Sequence, residues 1–174
     1  MSSQKTSNKN TILFALMVFT IIIASLLSSQ QSWAQVYCVE KAGAKLFLKP
    51  SDKGKPLWRA PLYTPLMGTG NRIKNMIEVT DMDSKKYWVN KNFLSGKVSC
   101  LAVRVKKTLL RTGPGLSYQA AKVKQAGRYE AFVDLGGEDG WTQIQDETGN
   151  KSWVNLDQVW KPKNKMRISF EEGK

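Results

Sequence analysis

The chain has 174 residues, with 27 lysines and arginines against 14 acids, no histidine and a formal net charge of +13. Without histidine, His-based triads and Cys/His zinc sites are excluded, and two cysteines are too few for a structural zinc site. The cationic surplus favours anionic partners without identifying one.

Residues 1–34 come first and stand apart. Lys5 and Lys9 precede an almost wholly apolar run from Thr11 to Leu27. A polar Ser28-Ser29-Gln30-Gln31 follows, and Ser32-Trp33-Ala34 sets small residues before a cut at Gln35. This order is that of a secretory signal peptide. The alternative is an uncleaved anchor, since the 17-residue apolar run from 11 to 27 is at the short edge of what spans a bilayer. Cys38 follows Gln-Val-Tyr, so no lipid-attachment motif is present. The expected location is exported, periplasmic or cell-envelope, with membrane attachment only where residues 11–27 are retained. Behind a signal peptide the positive charge points away from nucleic acid. It points to anionic envelope polymers, lipid head groups or acidic partners.

The pattern after residue 34 is β. Val36, Cys38 and Ala44 to Leu48 suggest short strands about a turn at Gly43, and Ile73, Ile77 and Val79 lie in a β-rich stretch. Val103-Arg104-Val105 and Thr142-Gln143-Ile144-Gln145 alternate in polarity. Turn signals separate these runs at Thr112-Gly113-Pro114-Gly115, Gly136-Gly137, Asp139-Gly140 and Thr148-Gly149-Asn150. Ser117 to Gln125 allows one turn of helix, ended at Gly127. Many short strands at regular spacing predict small barrels or sandwiches. The tail, 161–174, is expected to be loose.

The chain also resembles itself. Tyr87-Trp88-Val89-Asn90 returns as Ser152-Trp153-Val154-Asn155, 65 residues later. Lys45-Leu46-Phe47-Leu48-Lys49 answers Lys107-Thr108-Leu109-Leu110-Arg111, and Cys38 answers Cys100, both at an offset of 62. Three landmarks at nearly one spacing predict two copies of one domain, 36–96 and 98–160. Leu94 to Val98 is too short to let the copies move freely, so they are expected to pack together. An even cysteine pair in an exported chain predicts a Cys38–Cys100 disulfide closing the first copy.

Leu110-Arg111-Thr112-Gly113-Pro114-Gly115-Leu116-Ser117-Tyr118, Gly140-Trp141-Thr142-Gln143-Ile144 and Gly149-Asn150-Lys151-Ser152-Trp153-Val154 fall in order over about 50 residues. Together they resemble the bacterial SH3 domain, SH3b, with Ser152 in place of a glycine. The first copy is a degenerate version: Leu48-Lys49-Pro50-Ser51 replaces the glycine-rich turn, Met76 stands where Trp141 stands, and Tyr87-Trp88-Val89 remains. The resemblance implies an all-β fold of two small SH3-like five-stranded bent barrels in tandem.

No catalytic set emerges. Gly113-Pro114-Gly115 lacks the helix and lysine of a phosphate loop. Asp81/Asp83 and Glu138/Asp139 fall in turns, where carboxylates are usually solvated. No cofactor and no metal site are expected, and the chain is read as a non-enzyme. The aromatics are the stronger candidates. With Ile144 inward, alternation sends Trp141 to the opposite face, where an outward tryptophan serves as a binding platform. Tyr118, Tyr129 and Phe132 are candidates to join it, and Trp153 is read as packing. Lys122, Lys124 and Arg128 form the alternative, basic surface. Eukaryotic SH3 domains close on a proline and a tyrosine, for which this chain has Asn155 and Gln158, weakening polyproline recognition. The resemblance implies a binding or adaptor module for cell-wall polymer (peptidoglycan) or an envelope peptide or protein. The alternatives are a structural or assembly subunit of an envelope complex and, remotely, an unrecognised cell-wall hydrolase.

Overall fold

The computed structural model describes residues 35–51 and 53–163; the signal peptide expected over 1–34 and most of the tail expected to be loose lie outside the described residues. The strands, in chain order, begin with β1 (Val36–Val39), β2 (Ala44–Phe47), β3 (Trp58–Ala60), β4 (Pro65–Ile73), β5 (Met76–Thr80), β6 (Lys86–Asn90) and β7 (Leu94–Ser95). They continue with β8 (Cys100–Val103), β9 (Lys107–Arg111), β10 (Ala120–Gly127), β11 (Ala131–Gly136), β12 (Trp141–Gln145), β13 (Lys151–Asn155) and β14 (Val159–Trp160). They form two antiparallel seven-stranded sheets, ordered β3-β2-β6-β5-β4-β1-β7 and β10-β9-β13-β12-β11-β8-β14. The fold is all-β, as expected. The count exceeds the five strands implied per barrel. A strand precedes each motif-bearing run (β1, β8), and a two-residue segment (β7, β14) returns to pair with it.

Each sheet has its own core. In the N-terminal sheet Val39, Leu46, Leu66, Val79 and Val89 are fully buried together. In the C-terminal sheet Leu101, Val103, Ile144 and Val154 are fully buried and Leu110 nearly so. The recurring Trp-Val-Asn therefore has a physical content. The valine is core, and the tryptophan faces the other way and is half-buried. The asparagine caps the next turn: Asn90 Oδ1 accepts from the Asn92 amide at 3.0 Å and Asn155 Oδ1 from the Asp157 amide at 2.8 Å. Both caps open a three-residue 3-10 turn, Lys91–Phe93 and Leu156–Gln158.

The helical turn expected within 117–125 is a strand instead. β10 pairs with β9 from Gly127↔Lys107 to Ala120↔Arg111, with a register shift between Ala120 and Gln125. Ala121 and Ala126 are buried, so packing against the sheet outweighs weak local helical preference.

Cys38 in β1 and Cys100 in β8 are bonded, with Cα atoms 6.0 Å apart. The bridge joins the two sheets and closes a loop holding the whole N-terminal sheet. A disulfide fits an oxidising environment. No helix among the described residues is long and apolar enough to cross a membrane.

Candidate functional site

The junction of the sheets is aromatic and charged. Trp58 in β3 meets Tyr129 edge-on, with ring centroids 5.7 Å apart, and lies 6.3 Å from Tyr87. Tyr129 sits in the turn between β10 and β11 with φ 72°, a left-handed conformation that costs a non-glycine residue energy. Its amide donates to the Val103 carbonyl at 2.9 Å, which holds that conformation. Tyr63 does the same in the N-terminal sheet, with φ 61° and its amide 2.7 Å from the Val39 carbonyl.

Asp83, in the turn after β5, ties the halves together. Its carboxylate accepts from the Tyr129 hydroxyl and from Arg128, whose guanidinium lies 2.5 Å away. The Tyr129 hydrogen bond, with help from Arg128 and Lys85, holds the Asp83 carboxyl below its ordinary range; the same bond pushes the Tyr129 phenol up. Beneath them Tyr87 donates to Asp81 at 3.1 Å. Burial first, and the Asp81 charge second, push Tyr87 to about 12.

Beside this cluster opens a cleft of about 420 Å³. Trp58 and Pro61 border it from the N-terminal sheet; Tyr129, Phe132 and Val123 supply apolar surface from the C-terminal sheet. Lys122, Arg128 and Lys151 give positive charge, and Glu130, Asp146 and Glu147 give negative charge. Asp146 is bound up in its own turn, accepting from the Thr148 and Asn150 amides at 2.9 Å each and from both side chains. Burial pushes this carboxyl up, but the Asn150 and Thr148 hydrogen bonds outweigh it and leave it below the ordinary value. Asp81 plays the matching part in its turn, accepting from the Asp83 and Lys85 amides at 2.9 and 3.0 Å. Both carboxylates are taken up as acceptors that build their own turns, which suits them poorly to proton transfer.

The four aromatics singled out from sequence do not form one platform. Tyr129 and Phe132 share the cleft, but Phe132 is only 6% exposed and belongs to the core of its sheet. Tyr118 covers Gly113 so closely that an added Cβ would meet its ring at 2.2 Å. Arg111 Nη1 donates to the Tyr118 carbonyl at 2.7 Å, completing the turn. The sequence placed Trp141 outward, and this needs correcting. It lies on the face opposite Ile144, outside the core cluster, yet is 7% exposed. It borders a separate cleft with Leu109, Arg111, Leu116 and Asn155. Alternation chose the face correctly, but at Trp141 that face is closed to solvent. Of the alternative basic surface, Lys122 and Arg128 reach the inter-sheet cleft.

Trp58 was missed. It sits in a three-residue strand outside every motif, and its aromatic partner Tyr129 is 71 positions away in the other sheet. A second missed group is Asp134 in β11, a buried carboxylate. It accepts from Thr142 at 2.6 Å, Ser99 at 2.8 Å and the Gly136 amide at 3.2 Å, and pairs with Lys161 Nζ at 2.6 Å. Burial pushes it up, but Lys161, Thr142 and Ser99 together hold it below its ordinary value. Lys161 thereby anchors the start of the tail.

No protein-family model matches the chain, and no curated protein matches it. Among solved structures it is similar to NlpC2 from Trichomonas vaginalis, at 11% identity and a TM-score of 0.34, over 77% of this chain and 50% of that one. It is also similar to NlpC1 from the same organism, at 13% identity and a TM-score of 0.34, over 76% of this chain and 47% of that one. The chain thus spans about half the length of the solved structures it matches.

Proposed function

We propose that this is an exported, non-enzymatic binding module of the cell envelope. Two SH3b-like barrels are locked together, and the ligand, a cell-wall peptide or peptidoglycan fragment, sits in the cleft between them. The observation that carries the reading is the cleft itself. Pockets of this kind combine apolar walls with a few placed polar groups, and they favour junctions between structural units. Here Trp58, Tyr129 and Val123 offer faces on which a sugar ring or aliphatic chain can lie. Lys122 and Lys151 together with Glu147 in the same lining match a ligand carrying both carboxylates and amines, as wall peptides do. The matching turns, caps and left-handed tyrosines of the two sheets support the tandem-barrel part of the reading.

The test is co-sedimentation of the protein with purified peptidoglycan at low and high salt, beside a Lys122→Glu/Lys151→Glu variant. Both lysines are exposed, so the fold is retained. Binding that survives salt and falls about tenfold in the variant supports recognition in the cleft. Binding lost in salt but indifferent to the variant points to bare charge, and no binding favours an assembly subunit. Release of soluble fragments by the pure protein would overturn the non-enzymatic reading.

A further inference from the structure

The strongest feature outside the cleft is the connection between β2 and β3. Leu48 and Leu57, at its two ends, are 68% and 60% exposed. They are neighbours in space: the Leu57 amide donates to the Leu46 carbonyl at 2.9 Å, and both leucines border one open cleft with Phe47 and Pro56. A single exposed leucine needs no explanation. Two on one connection that is rich in cations, with Lys49 and Lys55 bordering the same cleft, are a different matter. Lys45, Lys49, Lys53, Lys55 and Arg59 are all exposed, and Asp52 is the sole acid in the sequence between 45 and 59. Among the described residues none of these five cations is ion-paired.

We propose that this connection docks the protein onto an anionic phospholipid surface, its lysines at the head groups and Leu48 and Leu57 in the upper acyl region. Charge alone would suit any polyanion. The leucines decide between partners: a wall polymer satisfies the lysines but offers no apolar host for two projecting side chains, whereas a bilayer interface supplies both.

Both cores and the disulfide lie within 36–160, so the chain beginning at Gln35 is the form to test. The probe is co-sedimentation with vesicles of phosphatidylglycerol and phosphatidylethanolamine, against phosphatidylcholine alone. Preference for the anionic vesicles is expected. Leu48→Ser/Leu57→Ser is expected to weaken binding about tenfold, and Lys49→Gln/Lys53→Gln/Lys55→Gln about a hundredfold at low salt. All five positions are exposed, and unchanged circular dichroism checks the fold. Equal binding to neutral vesicles, or no binding to either, overturns the proposal. So does a lysine effect without a leucine effect, which marks a generic polyanion site. Binding of an acidic, apolar peptide at these residues with no binding to anionic vesicles would assign the surface to a protein partner instead.

Discussion

Removing the disulfide is the perturbation whose size follows most directly from the structure. Cys38 and Cys100 close a loop of 62 residues that contains the whole N-terminal sheet. Restricting the unfolded chain over that length stabilises the native state by about 4 kcal/mol. The benefit is unequally shared, because the C-terminal sheet lies outside the loop and its own unfolding gains little. In a Cys38→Ala/Cys100→Ala variant the melting temperature should fall by about 12 °C if the two sheets melt together, or about 24 °C if the N-terminal sheet melts alone. Both sulfurs are buried, so lost packing adds to this. Wild-type protein unfolded, reduced and refolded separates the two contributions. Calorimetry reads the size, and hydrogen exchange reads the location. The amides of Leu46 and Val89 should lose more protection than those of Ile144 and Val154. Equal loss in both sheets, or a shift of only one or two degrees, would refute the argument that the bridge acts by confining the N-terminal half. Free thiols in non-reduced peptides would remove its premise.

Two further predictions follow from buried groups. Trp141→Ala should cost about 3–5 kcal/mol of stability, read as a fall in denaturant midpoint, because the side chain is covered; an unchanged midpoint would restore the exposed-platform reading. Asp134→Ala should cost about 3 kcal/mol by leaving Lys161, Thr142 and Ser99 without their acceptor. Because the folded-state Asp134 carboxyl titrates below its unfolded value, its contribution is present above the ordinary aspartate range. That contribution is lost as pH falls through the folded value, so the variant and wild type should converge in stability in acid. A gap that stays constant from neutral pH downward would show that Asp134 acts by packing alone.

The sequence made the all-β class and the two halves legible because both rest on local rules. The recurring Trp-Val-Asn was visible as a repeat, and the structure supplies its reason: Val89 and Val154 are core, and Asn90 and Asn155 each cap a turn. Gly113 was readable as a turn residue, though the reason it must be glycine, the Tyr118 ring lying where a Cβ would be, was not. What escaped was whatever depends on the third dimension across the junction. Asp83 looked like a solvated turn residue, yet it receives Arg128 and Tyr129 from the other sheet. Trp58 carried no motif. Tyr63 and Tyr129 share a left-handed backbone, but no flanking similarity marks them as equivalent. Alternation assigned Trp141 to a face; it could not say that the side chain would be buried there.

Two ties of different kinds hold the sheets together, and their difference bears on how the cleft works. The disulfide is covalent and indifferent to salt or pH, and it fixes β1 against β8. The Asp83 cluster is exposed and charged, so its strength is screened by salt and depends on Asp83 staying ionised. That carboxyl is held below its ordinary value by Tyr129 and Arg128, so the tie is intact at neutral pH and weakens only in acid. The residues that make it are also those that shape the cleft. Arg128 and Tyr129 line the cleft, and the Trp58 ring rests on Tyr129. A tyrosine held in a strained turn, bonded at its hydroxyl and packed at its edge, has little freedom left to lose when a ligand arrives. Under the binding role proposed for the cleft, affinity would come from a wall set in advance rather than from closure. Tyr129 is thus a fixed wall of the cleft between two sheets rather than part of an open aromatic platform on one.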